Sequence, residues 1–292
     1  MKVLFFGSKG WIGGQLISYL KTQENVEIIE TNARADNETL VNDLIIAHSP
    51  SHIISLIGRT HGEGINSSDY LEQEGKLVEN ICDNLYAPMV LSLLAEKYNI
   101  HFTYFGTGCI FSEEDPQIRK YLETDRPNFF GSSYSIVKGF TDRLMKFNSN
   151  TLNLRIRMPI NSQVHHRNFI TKITKYENIC SIPNSMTVLD TIYPIIYDMM
   201  KNKTKGTFNL TNPDIISHNE ILEMYKEIVD ENFTWKNFTI EEQNKILKSK
   251  RTNNYLDTTK LQTLYPDIPD IKTAVRECLI EMKKNINNVE DG

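Results

Sequence analysis

Long hydrophobic runs are missing from this sequence. No stretch of the 292 residues approaches the ~20 consecutive apolar residues that a membrane-spanning helix needs. The opening MKVLFFG lacks the longer apolar core and small-residue cleavage site of a secretory leader, so no membrane partner is expected and a cytoplasmic location is. Cysteine is scarce: the four residues Cys82, Cys109, Cys180 and Cys278 form no CxxC pair and have no histidine-rich companion segment. That argues against a zinc site, any other metal site of this kind, and a disulfide framework. A surplus of one charge is also lacking, because 32 Lys and Arg stand against 37 Asp and Glu for a formal charge of -5. A broad nucleic-acid-binding surface is therefore not expected, whereas a local basic pocket for a phosphorylated small molecule stays compatible with this balance. Internal repeats are absent as well.

A 40% hydrophobic composition suffices for one large core, or for a main domain with a smaller lobe. The chain opens with an apolar strand, Lys2 to Phe6, followed by Gly7-Ser-Lys-Gly10-Trp-Ile-Gly13 and a helix whose inner face is marked by Ile12, Leu16 and Leu20. Strand, glycine turn and helix in this order form a dinucleotide-binding signature. The glycines allow a tight turn, let backbone N–H groups approach a pyrophosphate, and bring the helix close to the strand. The residues expected to meet the cofactor are Gly7, Lys9, Gly10, Trp11, Ile12 and Gly13. Further strands are predicted at Val26 to Glu30, His52 to Ile57, His101 to Phe105 and Thr151 to Ile156, with helical patterns between them. That rhythm predicts an α/β fold, a Rossmann-type doubly wound parallel sheet. After the second strand, Arg34 can pair with the 2′-phosphate of NADP, while Glu30 at the strand end would instead favour the ribose diol of NAD. NADPH is the expected cofactor, with NADH as the alternative.

The chemistry is carried by Ser132-Ser133-Tyr134-Ser-Ile-Val-Lys138, which projects a phenol and an ammonium from one helix face. The lysine charge favours tyrosinate and can hold the nicotinamide ribose. Thr107, at the end of TYFGTGCIF, can hydrogen-bond a substrate carbonyl oxygen. These three suit carbonyl reduction and resemble the short-chain dehydrogenases/reductases of the extended type. Cys109, two positions past Thr107, adds a thiol that carbonyl reduction does not use. The other cysteines read as structural: Cys278 shares an apolar stripe with Ile271, Val275 and Met282, Cys82 follows Ile81 in a helical stretch, and Cys180 lies near the IPNS turn.

GWIGG, TGCIF, LRIRMPI, RNFITKI, IPNSMTVLD and FNLTNPDIISHNEILEMYKEI resemble the plant nucleotide-rhamnose epimerase/reductases and their giant-virus counterpart over nearly the whole chain. The resemblance implies a fold like that of dTDP-4-dehydrorhamnose reductase. It also implies both 3,5-epimerisation and 4-reduction of a UDP- or dTDP-4-keto-6-deoxyglucose. A ketone at C4 acidifies the C–H bonds at C3 and C5, so two proton carriers are required. Cys109 is one candidate, and the resemblance names Lys172 as the other. Asn168, Asn184 in the Pro183-Asn184-Ser185 turn, and Thr187 are expected to contact the sugar nucleotide. Two other readings share these features: a GDP-4-keto-6-deoxymannose epimerase/reductase, and a non-catalytic NADP-binding regulatory subunit.

Residues 1–158 are expected to hold the NAD(P)-binding domain and 159–292 most of a smaller substrate lobe, with segments free to cross between them. The stretch from Asn232 to Asn254 is expected to be helix and loop because Trp235, Phe238 and Ile246 interrupt its polar run, and Asn285 to Gly292 is expected to fray. A homodimer is a further expectation.

Overall fold

The computed structural model describes residues 1–290. Among them, six strands form a parallel sheet. The first four are β1 (Lys2–Phe6), β2 (Glu27–Thr31), β3 (His52–Ser55) and β4 (His101–Thr107), joined by Thr151–Ile156 and Gly206–Asn209. The spatial order runs from Gly206–Asn209 through Thr151–Ile156, β4, β3 and β1 to β2. The chain thus winds outward from β1 to β2 and then returns across β1 to β3, placing the topological switch between β1 and β3, where open α/β sheets bind ligands.

Burial explains why these segments are strands. Val3 to Phe6 and the whole of β4 are buried, so the strands read as continuous apolar runs instead of alternating ones. Helix α1 (Trp11–Lys21) turns Gly13, Leu16, Ile17 and Leu20 inward. Helix α2 (Glu38–His48) starts on the Asn37 side chain, which accepts from Leu40 N, and stops at Ser49 in the left-handed region at φ 45°. Leu4, Phe6, Ile53, Phe102, Tyr104 and Met145 belong to one core. The register places Phe6 opposite Ser55 and Ser55 opposite Tyr104, so Thr107 projects past the neighbouring strand ends.

The chain forms two compact units. The first comprises Met1–Ile110, Arg126–Arg155 and Tyr193–Phe208; the second comprises Phe111–Asp125, Ile156–Ile192 and the chain from Asn209 onward. Segments therefore cross between units, and the strand Gly206–Asn209 returns to the sheet late in the chain. The second unit has its own core, including Ile160, Ile170, Val188, Ile221, Val275 and Leu279.

Three expectations need correction. Cys82 is half-buried and its neighbour Ile81 is exposed, because a π-helical turn over Cys82–Tyr86 rotates Asp83 and Asn84 inward instead. The stretch after Asn232 contains the helix Ile240–Ile246 and also a short strand, Lys236–Asn237, paired with Asn178–Ile179. The helix Ile271–Glu290 continues past Asn285; Asp291 and Gly292, the rest of the segment expected to fray, lie outside the described residues. Cys180, Cys278 and the stripe of Ile271, Val275 and Met282 are buried. Among the described residues no helix is long and apolar enough to cross a membrane, and no His, Cys, Asp and Glu group could hold a metal ion.

Candidate active site

The glycine turn is built by contact. Gly7 has φ +90°, and a Cβ there would lie 3.0 Å from the Leu56 carbonyl carbon. A Cβ on Gly13 would lie only 2.1 Å from the Gly7 carbonyl oxygen. Helix α1 therefore starts as close to β1 as two backbones allow. It starts on Gly10, with no capping side chain and no acid in its first turn, which suits a phosphate group. Lys9 is exposed, while Trp11 and Ile12 are half-buried. These residues fit a dinucleotide.

Arg34 follows β2, with its side chain 59% exposed and bonded to two carboxylates: Nη2 donates to Asp36 Oδ2 at 2.6 Å and to Asp83 Oδ1 at 3.0 Å. Asp83 also accepts from Arg59 Nε at 2.8 Å. The hydrogen bond to Asp36 holds the Arg34 pKa above its ordinary value against partial burial, with the charges of Asp83 and Asp36 adding to it. Glu30 is ion-paired with Lys21 at 3.0 Å on the surface.

At the end of β4, Gly106 packs so tightly that a Cβ would meet Asn153 Oδ1 at 2.5 Å. The Thr107 hydroxyl then accepts the Cys109 backbone N–H at 3.1 Å, which curls the chain just after the strand. The facing helix, Ser133–Met145, starts at Ser132, whose hydroxyl accepts from Ser135 N at 3.1 Å. Its first residue is anchored by Glu72, whose Oε1 accepts from Ser133 N at 2.8 Å and Ser133 Oγ at 2.9 Å. Further along, Asp142 accepts from Arg155 Nε at 2.8 Å, Arg155 Nη2 at 2.7 Å and Asn153 Nδ2 at 2.8 Å. The helix is thus fixed at both ends, and Tyr134, Lys138 and Asp142 recur every fourth residue on one face.

Thr107, Cys109, Tyr134 and Lys138 lie within one electrostatic neighbourhood. Burial raises the Tyr134 phenol above its ordinary value, the charge of Cys109 adds to that, and a side-chain hydrogen bond with Thr107 opposes both. Burial lowers the Lys138 ammonium to about 7, against the pull of Asp142 and Cys109. The cluster therefore holds a phenol that keeps its proton, a lysine that changes charge near neutrality, an alcohol and a thiol.

Lys172 belongs to the second unit, on the helix Phe169–Ile173. It is half-buried, and its pKa is lowered first by burial and then by the charges of Arg167 and Arg251. Asn168, Asn184 and Thr187, the residues expected to contact the sugar nucleotide, are fully buried and hydrogen-bonded inside this unit. Asn168 caps the helix through Ile170 N at 3.2 Å and donates to the Asn161 and Gln163 carbonyls at 2.7 Å each. Asn184 accepts from Arg157 Nη2 at 2.6 Å and Asn254 N at 2.9 Å, and donates to Ile182 O at 3.2 Å and Asn253 Oδ1 at 3.0 Å. Thr187 accepts from Arg157 N at 3.1 Å and donates to Leu210 O at 2.9 Å. These residues shape loops around the buried guanidinium of Arg157.

The sequence reading missed Tyr104, Glu72, Arg167 and Arg251. The two arginines lie in RNFITKI and KSKRTNN, where a run of cations reads the same whether it is solvated or gathered. Glu72 stands 61 residues from its partner Ser133, and no local pattern joins them.

No family model matches the chain. It is 53% identical to the UDP-rhamnose synthase of Acanthamoeba polyphaga mimivirus, whose crystal structure matches with a TM-score of 0.94 over 96% of this chain and 99% of that one. A bifunctional dTDP-4-dehydrorhamnose 3,5-epimerase/dTDP-4-dehydrorhamnose reductase of Arabidopsis thaliana is 39% identical over 286 residues, covering 96% of this chain and 93% of that protein. The dTDP-4-dehydrorhamnose reductase of Bacillus anthracis, solved in complex with NADP, shares the fold at 16% identity, with a TM-score of 0.79 over 96% of this chain and 99% of that one.

Proposed function

The chain belongs to the nucleotide-rhamnose epimerase/reductases, extended short-chain dehydrogenases/reductases, and from that premise we propose that it converts UDP- or dTDP-4-keto-6-deoxy-D-glucose to the nucleotide-L-rhamnose by 3,5-epimerisation and NADPH-dependent 4-reduction. The observation that carries this reading is the gathering of Thr107, Cys109, Tyr134 and Lys138 around the C-terminal half of β4. A plain reductase needs three of these groups, and the thiol supplies a further acid/base.

In the epimerisation, Cys109 and Lys172 are the two proton carriers. One takes the proton from C3 or C5 to leave an enolate, and the other returns a proton to the opposite face, so composition is unchanged while configuration inverts. Burial and the charges of Arg167 and Arg251 lower the Lys172 pKa, which makes its neutral, proton-accepting form easier to reach. In the reduction, NADPH supplies the hydride that C4 accepts. Tyr134 gives its proton to O4, Thr107 hydrogen-bonds O4, and the Lys138 ammonium stabilises the tyrosinate that results. The glycine turn receives the cofactor pyrophosphate and Arg34 its 2′-phosphate. Arg167 and Arg251, whose charges already act on Lys172, are assigned to the substrate diphosphate.

We place the reaction in the cytoplasm and the chain in a homodimer. Phe140, Leu144 and Phe147, on one face of the helix Ser133–Met145 and just past its end, are 55%, 40% and 84% exposed, and sedimentation velocity measures whether two copies associate.

The deciding experiment supplies NADPH with the UDP and dTDP ketosugars in deuterated water. The expected result is NADPH oxidation and a rhamnose nucleotide carrying deuterium at C3 and C5. Neither oxidation nor deuterium uptake with any nucleotide 4-keto-6-deoxy sugar, including the GDP-mannose series, would falsify the reading.

A further inference from the structure

The buried phenol of Tyr104 has no part in the reaction described above, yet it touches the lysine on which that reaction depends. Tyr104 lies in the middle of β4, is fully buried, and belongs to the same core as Phe102 and Met145. The Lys138 ammonium lies 4.4 Å from its ring centroid, on the hydroxyl side. It also donates to the Tyr104 hydroxyl and, at 3.2 Å, to the carbonyl of Phe105. Two of the three ammonium donors are therefore taken by adjacent residues of β4. We propose that Tyr104 is a positioning residue for Lys138, its hydroxyl holding the ammonium on the helix face that also carries Tyr134.

The chemistry of the holder matters. A lysine side chain has four rotatable bonds and much rotamer freedom, so a buried ammonium needs fixed acceptors to stay aimed. A carboxylate would fix it more strongly but would spend the charge that Tyr134 requires. A phenol does the same work while neutral: burial raises the Tyr104 pKa well above its ordinary value, so it keeps its proton and accepts through a lone pair. The nearest acid on the same helix face, Asp142, is already matched by Arg155 at 2.7 Å with both side chains buried. The positive charge of Lys138 is thus not spent on a carboxylate partner of its own.

The inference rests on the reading of Tyr134 and Lys138 as the reducing pair, and its test separates the two. The Nζ of Lys138 is followed by nitrogen-15 NMR against pH in the unliganded full chain, where no turnover is needed. The wild-type midpoint is expected near 7. In Tyr104→Phe, which keeps the ring and removes the acceptor, the charged form loses support and the midpoint should fall by about one pH unit, roughly tenfold in acidity. The alkaline limb of kcat against pH for NADPH-dependent reduction should move down by the same amount, a displacement that loss of packing alone would not produce. An unmoved midpoint overturns the proposal, and so does a moved midpoint with an unmoved limb. Should Tyr104→Phe fold poorly, 3-fluorotyrosine at position 104 keeps the shape with a weaker acceptor. It should shift the midpoint in the same direction by less, and no shift again overturns the proposal. If the wild type reduces no ketosugar, the reductase reading fails while the titration still decides whether Tyr104 holds the lysine.

Discussion

An alcohol and a thiol stand two residues apart at the end of β4. Thr107 is buried and its hydroxyl is fixed by the Cys109 N–H, which suits it to orient an oxygen; Cys109 is only half-buried, and a thiol of that kind is open to proton exchange. Cys109→Ser keeps the size and loses most of the acidity, so deuterium exchange at C3 and C5 should fall by ~10²–10⁴-fold. Reduction of substrate already epimerised by another enzyme should persist. Normal exchange in the variant would make Cys109 a packing residue, and collapse of both reactions would mean that the shared pocket had been damaged. Arg34→Ala should weaken NADPH far more than NADH, because only NADPH offers a phosphate to a guanidinium that Asp36 and Asp83 already hold in place. Equal weakening of the two cofactors in a fluorescence titration would remove that role. Tyr134 and Lys138 were legible because a spacing of four is a rule of helices. The structural part played by Asn168, Asn184 and Thr187 was not legible, because polar residues in a turn look alike in sequence whether or not they cap a helix and hold a buried arginine, as these do.

The elements were legible where burial writes a simple pattern. β1 spans the predicted residues and β2 is displaced by one, since strands covered on both faces are short apolar runs between turns. Gly206–Asn209 escaped notice because Gly-Thr-Phe-Asn offers one large apolar side chain. The π-helical turn escaped because an inserted residue leaves no compositional mark. The glycine turn was legible, and the structure adds its tolerance: at Gly13 a methyl group would sit 2.1 Å from the Gly7 carbonyl oxygen, so helix and strand must separate to admit it. Gly13→Ala should therefore raise the NADPH dissociation constant by ~10-fold or more, about 1.4 kcal/mol, while Cys109-dependent deuterium exchange is affected less because that chemistry lies at the end of β4. Wild-type NADPH affinity in this variant would show that close approach of the α1 start is not needed for binding.

At the scale of the whole molecule, the crossing of segments between units could not be read locally, because the residues that send Tyr193–Phe208 back to the first unit act through partners far away in sequence. Two of those partners are histidines. His52 Nε2 bonds to Met200 O at 2.9 Å and His101 Nε2 to Thr204 O at 2.7 Å, with the two rings 5.2 Å apart and both residues buried. Each ring must be neutral to share this space. Burial, followed by the charge of His101, lowers His52 to about 4, and burial lowers His101 too. In the second unit His218 is likewise lowered to about 4, by burial and then by the charge of Arg157. Above pH ~6.5, the ordinary histidine value, folded and unfolded chains both hold these rings neutral and nothing is lost. As the pH falls from there toward about 4 for His52 and His218, the unfolded chain takes up protons that the folded chain refuses, and stability declines. At pH 5 the loss should be roughly 2 kcal/mol for each of His52 and His218. Carboxylates held below their usual range, such as Asp36 and Asp270, lose their contribution only at lower pH, and Lys138, which titrates at about 7 in the fold, contributes equally to a wild type and a histidine variant, so the difference between the two over 7.5 to 5 isolates the histidine. His52→Gln, which keeps a donor for Met200 O but does not titrate, should reduce the decline over that interval by about 2 kcal/mol in urea unfolding. The same decline in both proteins would remove His52 from the acid sensitivity of the fold.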